Sequence, residues 1–246
     1  MQSKAAQIVP VEKVHGDIAV YSCYFGKYEP LNLESMGNGE GYDRALITDN
    51  LSLEYPGAQV VGGTGEADAV IASRSAKLSP EPYFPNHRWV IYVDNRATLI
   101  RDPKEIVAEI EAEYDGDAPA GRYLFSHPGR ECGYRELRVL MRRSKVGPEA
   151  HEHIKGTMQE AGFPPNKGLY MNTIMIQKMG DPATAELNAL WWGFFQTLCQ
   201  RDQVTLPYAM WLKGYTPRIL SSTARDFIEW PIYSFKDRRR FQRANR

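Results

Sequence analysis

Five consecutive apolar, β-favouring residues, Trp89 to Val93, stop abruptly at Asp94-Asn95. A run without polar alternation suits a strand buried on both faces, the habit of parallel sheets covered by helices. The same pattern recurs. Asp17-IAVYSCYF-Gly26 reads as a first buried strand, Arg44-ALIT-Thr48 as a second that ends at Asp49-Asn50, and Gln59 to Val61 as a third. Helical spacing falls between these runs. Glu66 to Lys77 is stopped by Pro80, Pro82 and Pro85, and Asp102-Pro103 opens a helix with Ile106, Val107, Ile110 and Tyr114 on one face.

Further along, Arg122 to Phe125 predicts a strand, Tyr134 to Lys145 and Pro148 to Ala161 two helices, and Tyr170 to Met179 a last strand. Pro182 to Cys199 and Val204 to Leu212 read as helices. The expectation is an α/β fold: a single domain over residues 1–235 around a mostly parallel central sheet flanked by helices, with a basic tail over 236–246. From Phe235 to Arg246 that tail holds six basic residues against one acid, Asp237.

Composition narrows the function. The 246 residues carry 30 Lys+Arg against 30 Asp+Glu, a neutral balance that argues against a dedicated nucleic-acid binder. Cys23, Cys132 and Cys199 are widely spaced and odd in number, so a reducing, cytoplasmic setting is expected. The first 20 residues hold no long apolar run, and neither a signal peptide nor a membrane anchor is expected.

Most motif candidates reduce to ordinary structure. Gly62-Gly63-Thr64-Gly65 lacks the spacing of a dinucleotide fingerprint and reads as a flexible turn. No GxxxxGK[ST] and no GxSxG occur, which excludes a P-loop NTPase and the common hydrolase elbow. His151 and His153, two apart on a helix, point about 200° from each other and cannot share an ion.

Three places carry chemistry. Asp94 leaves an apolar strand at the end where ligands bind in such sheets, although a strand-end Asp also caps turns. His127-Pro-Gly-Arg130 sets a His and an Arg three apart in a strand-end loop, a compact anion-binding set. Arg201-Asp202-Gln203 follows the aromatic run Trp191-Trp192-Gly193-Phe194-Phe195. A carboxylate beside an aromatic platform serves a sugar acceptor, while a helix cap followed by a core helix fits the same residues.

Taken in order, IAVYSCYFGKYEPL, YDRALITDN, WVIYVDNRATL, FSHPGRECGYRE, GFPPNKGLYMNTIMIQ and WWGFFQTLCQRDQVTLPY resemble the successive blocks of one family. It is the glycosyltransferase-like family of the plant turgor-regulation and mucilage-related proteins, which has bacterial members. The resemblance runs from about Ile18 to Trp211 and implies a GT-A-like fold, a nucleotide-sugar donor and a hydroxyl acceptor. A UDP-sugar is the favoured donor. GT-A enzymes commonly place an Asp-x-Asp at this strand end to hold a divalent ion on the diphosphate; here the triplet is Asp94-Asn95-Arg96, and Arg96 could neutralise phosphate instead.

Carried onto this chain, the resemblance implies that Tyr24 and Phe25 face the base and that Thr48, Asp49 and Asn50 line the uracil or ribose end. It implies that Arg74 and Lys77 lie near the diphosphate, with Asp94 and Asn95 beside them. His127, Arg130 and Glu136 match the His-Pro-x-Arg block and its downstream acid. Asp202 is the implied acceptor-side base, with Gln203, Trp191 and Trp192 toward the acceptor. Catalysis is thus assigned to Asp202, His127 and Arg130.

A Mn²⁺ or Mg²⁺ ion at Asp94, or metal-independent neutralisation by Arg and Lys, are both consistent with these residues. Met171 and Gln177 stand where the family carries an acid and an Arg. That departure leaves a non-catalytic nucleotide- or carbohydrate-binding protein as the second reading. The basic tail supports a third, a nucleic-acid-directed transferase, but a solvated terminus or a peripheral contact with an anionic membrane surface is favoured over it.

Overall fold

A computed structural model describes residues 8–66 and 68–245. Residues 1–7 of the N-terminal stretch, Ala67 in the helix expected from Glu66, and Arg246 of the basic tail lie outside the described residues. In chain order the elements are β1 (Ile18–Tyr24), β2 (Asp43–Thr48), β3 (Gln59–Gly62), α1 (Ala69–Leu78), β4 (Trp89–Val93), β5 (Thr98–Leu99) and α2 (Pro103–Ala112). Then come β6 (Gly121–Leu124), α3 (Gly133–Arg142), α4 (Pro148–Glu160), β7 (Ile174–Lys178), α5 (Pro182–Thr197) and α6 (Asp202–Lys213). Last are β8 (Arg218–Ile219), β9 (Ile228–Glu229) and α7 (Phe235–Ala244). Among the described residues no helix is long and apolar enough to cross a membrane.

The chain divides into two compact units, and the second interrupts the first in sequence. The first comprises Met1–Ala120, Thr173–Gly180 and Ala224–Arg246; the second comprises Gly121–Asn172 and Asp181–Thr223.

Five strands of the first unit lie side by side in the order β3-β2-β1-β4-β7. The β3-β2, β2-β1 and β1-β4 pairs are parallel, with Tyr24 opposite Thr48 and Tyr21 opposite Tyr92. β7 runs antiparallel to β4, pairing Val93 with Ile174. All five residues of β4 are buried, as its unbroken apolar run predicts. The α1 helix starts at Asp68, whose carboxylate accepts from the N–H groups of Val70 and Ile71, and its C-cap, Ser79, is followed by Pro80. The α2 helix starts at Asp102 with Pro103 in its first turn and buries Pro103, Ile106 and Ile110.

The C-terminal segment returns to this unit as a strap. β9 pairs antiparallel with β5, Ile100 N–H donates to Phe227 (2.9 Å) and Ile232 N–H donates to the Arg96 carbonyl (3.1 Å). The basic residues expected to form a tail build α7, which a reciprocal Ser234–Asp237 capping box starts.

The second unit contains the parallel pair β6-β8 and four helices. Leu137 of α3, Ile154 and Met158 of α4, Phe163, and Val204 and Tyr208 of α6 form its core. Asp181 caps α5, and Gly214 ends α6 in the left-handed region at φ 64°. The sequence predicts one strand from Tyr170 to Met179; the structure starts β7 only at Ile174, while Tyr170 makes an isolated bridge to Ser126.

Candidate functional site

In the first unit the chain steps outward from β1 to β2 and β3, then returns to the far side of β1 as β4. The connections leaving β1 and β4 therefore diverge at their carboxyl ends, and a crevice opens between them. In open α/β sheets this switch point is where ligands bind. A cavity of about 360 Å³ lies there. Tyr24 and Phe25 line it from the end of β1, Asp94, Asn95 and Arg96 from the end of β4, Arg74 from α1 and Arg238 from α7.

The loop after β4 fixes Asp94: its N–H donates to Thr173 (2.8 Å), and its carbonyl accepts from Ala97 (2.8 Å). The carboxylate accepts from the Tyr92 hydroxyl at 2.5 Å and pairs with the Lys77 ammonium at 3.4 Å. Lys77 also lies 4.8 Å from the centre of the Tyr92 ring. Burial, reinforced by the Asp94 charge, holds the Tyr92 phenol well above its ordinary range. Lys77 is buried, and it acts on the cavity through Asp94 rather than by lining it.

Asn95 is buried and committed to structure. Its amide donates to the Pro30 carbonyl (2.9 Å) and to Glu29 Oε1 (3.2 Å), and its oxygen accepts from Asn32 N–H (2.9 Å). Asn95 thus positions the loop after β1. Glu29 also pairs with Arg238, Nε to Oε2 at 2.9 Å. Burial raises the Glu29 carboxyl, opposed by the Asn95 hydrogen bond and the Arg238 charge. Gly63, in the glycine-rich turn, has a specific reason: a Cβ there would lie 2.6 Å from the Phe25 ring.

The other residues expected at the donor divide. Asp49 and Asn50 line a neighbouring cavity of about 330 Å³ together with Tyr24, Lys27 and Phe241. Asp49 also accepts from Gly26 N–H (3.0 Å), at a position with φ 61° that favours glycine. Thr48 is a correction. It is fully buried, and its hydroxyl accepts from Asn50 N–H to shape the turn rather than facing either cavity.

The residues expected on the acceptor side belong to the second unit. His127 Nδ1 accepts from the N–H groups of Gly129 and Arg130 (3.1 Å each), and Nε2 faces an Arg130 guanidinium nitrogen at 3.0 Å. The Arg130 Nε lies 2.6 Å from Oε2 of buried Glu136. Burial, then the Arg130 charge, lowers the His127 pKa. His127, Arg130 and Glu136 are thus one cluster, in which the imidazole ties the loop together.

Asp202 opens α6, and its carbonyl accepts from the Trp191 indole (3.2 Å); Gln203 donates to the Tyr170 carbonyl (3.1 Å). Trp191 is a second correction. Its ring is fully buried, its indole also bonds Thr205 (3.0 Å), and no sugar can stack on it. The i,i+4 pair Trp191 and Phe195 faces the core, whereas Trp192 is half-buried and stacks on Phe195 with centroids 5.8 Å apart.

No pattern in the sequence places Arg238 or Glu29 in the site. Arg238 was legible only as one charge in a basic run; its placement depends on the strap, which no local pattern announces. Among the described residues no group of three or more His, Cys, Asp or Glu side chains converges to hold a metal ion. The cavity's two carboxylates, Asp94 and Glu29, are each already paired with a cation.

No model of a known protein family matches the chain, and no curated protein matches it. The resemblance to the plant-type family rests on the sequence blocks alone. Among solved structures, the apo form of WbbM, a bifunctional glycosyltransferase, aligns with a TM-score of 0.47 and 12% identity. The alignment covers 96% of this chain and 45% of that one, so the chain spans less than half of that structure's length.

Proposed function

We propose that the chain is a glycosyltransferase that moves a sugar from a nucleotide-sugar donor, a UDP-sugar, to a hydroxyl acceptor. The observation that carries this reading is the cavity at the β1/β4 switch point, where Asp94 is set among Arg74, Arg96 and Arg238 with Tyr24 and Phe25 beside them. Transfer breaks the bond between the anomeric carbon and a diphosphate oxygen, and negative charge grows on the departing nucleoside diphosphate. Guanidinium groups fixed around that position stabilise the charge as it develops. The aromatic pair offers a face for the base, and Asp94 an acceptor for a ribose hydroxyl.

The acceptor oxygen bonds the anomeric carbon while its proton passes to a base, a role we assign to Asp202 if the reaction inverts configuration. His127 and Arg130 take a supporting part, ordering the loop that follows β6. A single free-standing carboxylate set is absent from the cavity lining, where each acid has a cationic partner. That donor set favours neutralisation of the diphosphate by arginine over a divalent ion held through Asp94. The exposed cations of α7, Lys236, Arg239, Arg240 and Arg243, favour a peripheral contact with an anionic surface.

The binding-protein reading rests on Met171 and Gln177. Both are buried, and Gln177 donates to Glu81 at 3.1 Å, so neither is a lost solvent-facing contact. The test is incubation with a panel of UDP- and GDP-sugars without acceptor, with nucleoside diphosphate release as the readout. Release from one donor class supports the transferase. Binding without release moves the binding-protein reading to first place.

A further inference from the structure

The second unit has a cavity of its own, about 570 Å³, against α3 and α4. None of the residues given a part in the proposed transfer lines it. Arg135 and Arg138 come from α3, His151 and Lys155 from α4, and Tyr134 and Phe163 supply an aromatic wall. No acid is part of the lining.

The two arginines are three apart, so they emerge from the same face of α3 and repel each other. Among the described residues neither guanidinium has a hydrogen-bond or ion-pair partner, whereas Arg130, also in this unit, is paired with Glu136. Lys155 and His151 are one turn apart on α4, and Glu152 partners both, at 3.2 and 2.9 Å. Glu152 points its charge into solvent, with two thirds of its side chain exposed, and leaves the arginines uncompensated. The aromatic wall is ordered: the Tyr134 hydroxyl donates to the Phe163 carbonyl at 2.7 Å, and the two rings sit 5.6 Å apart.

Two guanidiniums on one helix face form a fork for a carboxylate or phosphate, and an aromatic wall next to it packs against the C–H face of a sugar ring. The volume falls within the range of small-ligand sites. We propose that this cavity binds an anionic monosaccharide unit, a sugar bearing a carboxylate or a phosphate, with Arg135 and Arg138 on the anion and the half-buried Tyr134 against the ring. The site stands on the second unit alone and does not depend on the transfer reaction.

The test is calorimetric titration of the full chain with glucose 6-phosphate, glucuronate, inorganic phosphate and glucose. Glucose 6-phosphate or glucuronate should bind, phosphate more weakly, and glucose weakest of all. Arg135→Gln and Arg138→Gln should each weaken anionic-sugar binding by about 10–100-fold, the scale of a lost charge-assisted hydrogen bond. Both side chains are exposed, and the far-UV circular dichroism and thermal unfolding of the same samples report an intact fold. Glucose binding as tightly as its charged counterparts, or unchanged affinity in both variants, overturns the site. Phosphate binding as tightly as glucose 6-phosphate overturns the assignment to a sugar.

Discussion

Replacing Asp94 with Asn should cost the first unit about 3 kcal/mol of stability, and replacing Lys77 with Met only about 1 kcal/mol. The asymmetry comes from burial. The Lys77 side chain is 2% exposed, whereas that of Asp94 is 29% exposed at the cavity. Removing the carboxylate takes away the negative charge paired with a buried ammonium, which keeps its other contacts, the Tyr92 ring among them. Breaking a buried pair in this way costs about 3–5 kcal/mol, and the partial hydration at Asp94 argues for the lower end. Removing the ammonium leaves a carboxylate that keeps the Tyr92 hydroxyl at 2.5 Å and has access to water. Methionine also replaces the lysine stem with a flexible chain of similar volume.

The double variant should resemble Lys77→Met alone, for a coupling energy of about 3 kcal/mol. Urea unfolding reads this directly. With a slope of about 3 kcal/mol/M, Asp94→Asn lowers the midpoint by about 1 M. The reasoning is refuted if Lys77→Met is as destabilising as Asp94→Asn, or if the two effects simply add. Nucleotide binding by Asp94→Asn has to be read below its unfolding transition, since the substitution acts on fold and ligand together.

Arg238→Gln should weaken UDP binding by about 10–100-fold while changing uridine binding little; equal loss for both would place Arg238 away from the diphosphate. Burial pushes the Cys23 thiol up to about 12 and the Cys199 thiol up to about 11, so neither is a thiolate near neutrality. A thiol reagent at pH 8 should modify these two only after denaturation, and mass spectrometry locating either adduct on folded protein would contradict this. The His127 pKa lies below its ordinary value of 6.5, so between the two values the unfolded chain holds the extra proton and stability rises with pH. The resulting loss is complete below the folded pKa and absent above about 6.5. His127→Gln should flatten that part of the stability–pH profile, and an unchanged slope would refute it.

The parts of the fold readable in the sequence are those set by local physics. β4 is an unbroken apolar run, β1 is broken only by Ser22, β2 centres on Ala45-Leu46-Ile47, and α2 carries its own start signal at Asp102-Pro103. The reversed direction of β7 and the interruption of one unit by the other depend on pairing between distant segments, which no window of residues reports. The α7 helix shows the same limit. Its sequence, FKDRRRFQRA, has no apolar stripe and reads as a solvated tail. What seats it is the Ser234–Asp237 box, the Arg238–Glu29 pair and the Gln242 amide on the Tyr28 carbonyl (2.8 Å), over 200 residues away.

At the site, Asp94 was legible because a charge directly after five buried residues has little choice but to leave the sheet. Trp191 and Trp192 were not separable by composition: adjacent positions on a helix point about 100° apart, and only the packing of α5 on α6 decides which one is core. Thr48 looked like a ligand contact for a similar reason. The turn it shapes lies at a strand end, where structural and ligand-facing residues share the same few types.

The central claim, a nucleoside diphosphate held at the β1/β4 switch point by arginine, is tested most directly by titrating UDP and UMP into the wild-type chain and Arg74→Gln, each with and without EDTA. The account predicts that the wild type binds UDP more tightly than UMP, keeps that preference in EDTA, and loses most of it in Arg74→Gln. Failure to bind either nucleotide, or a preference for UDP that Arg74→Gln leaves intact, would contradict it.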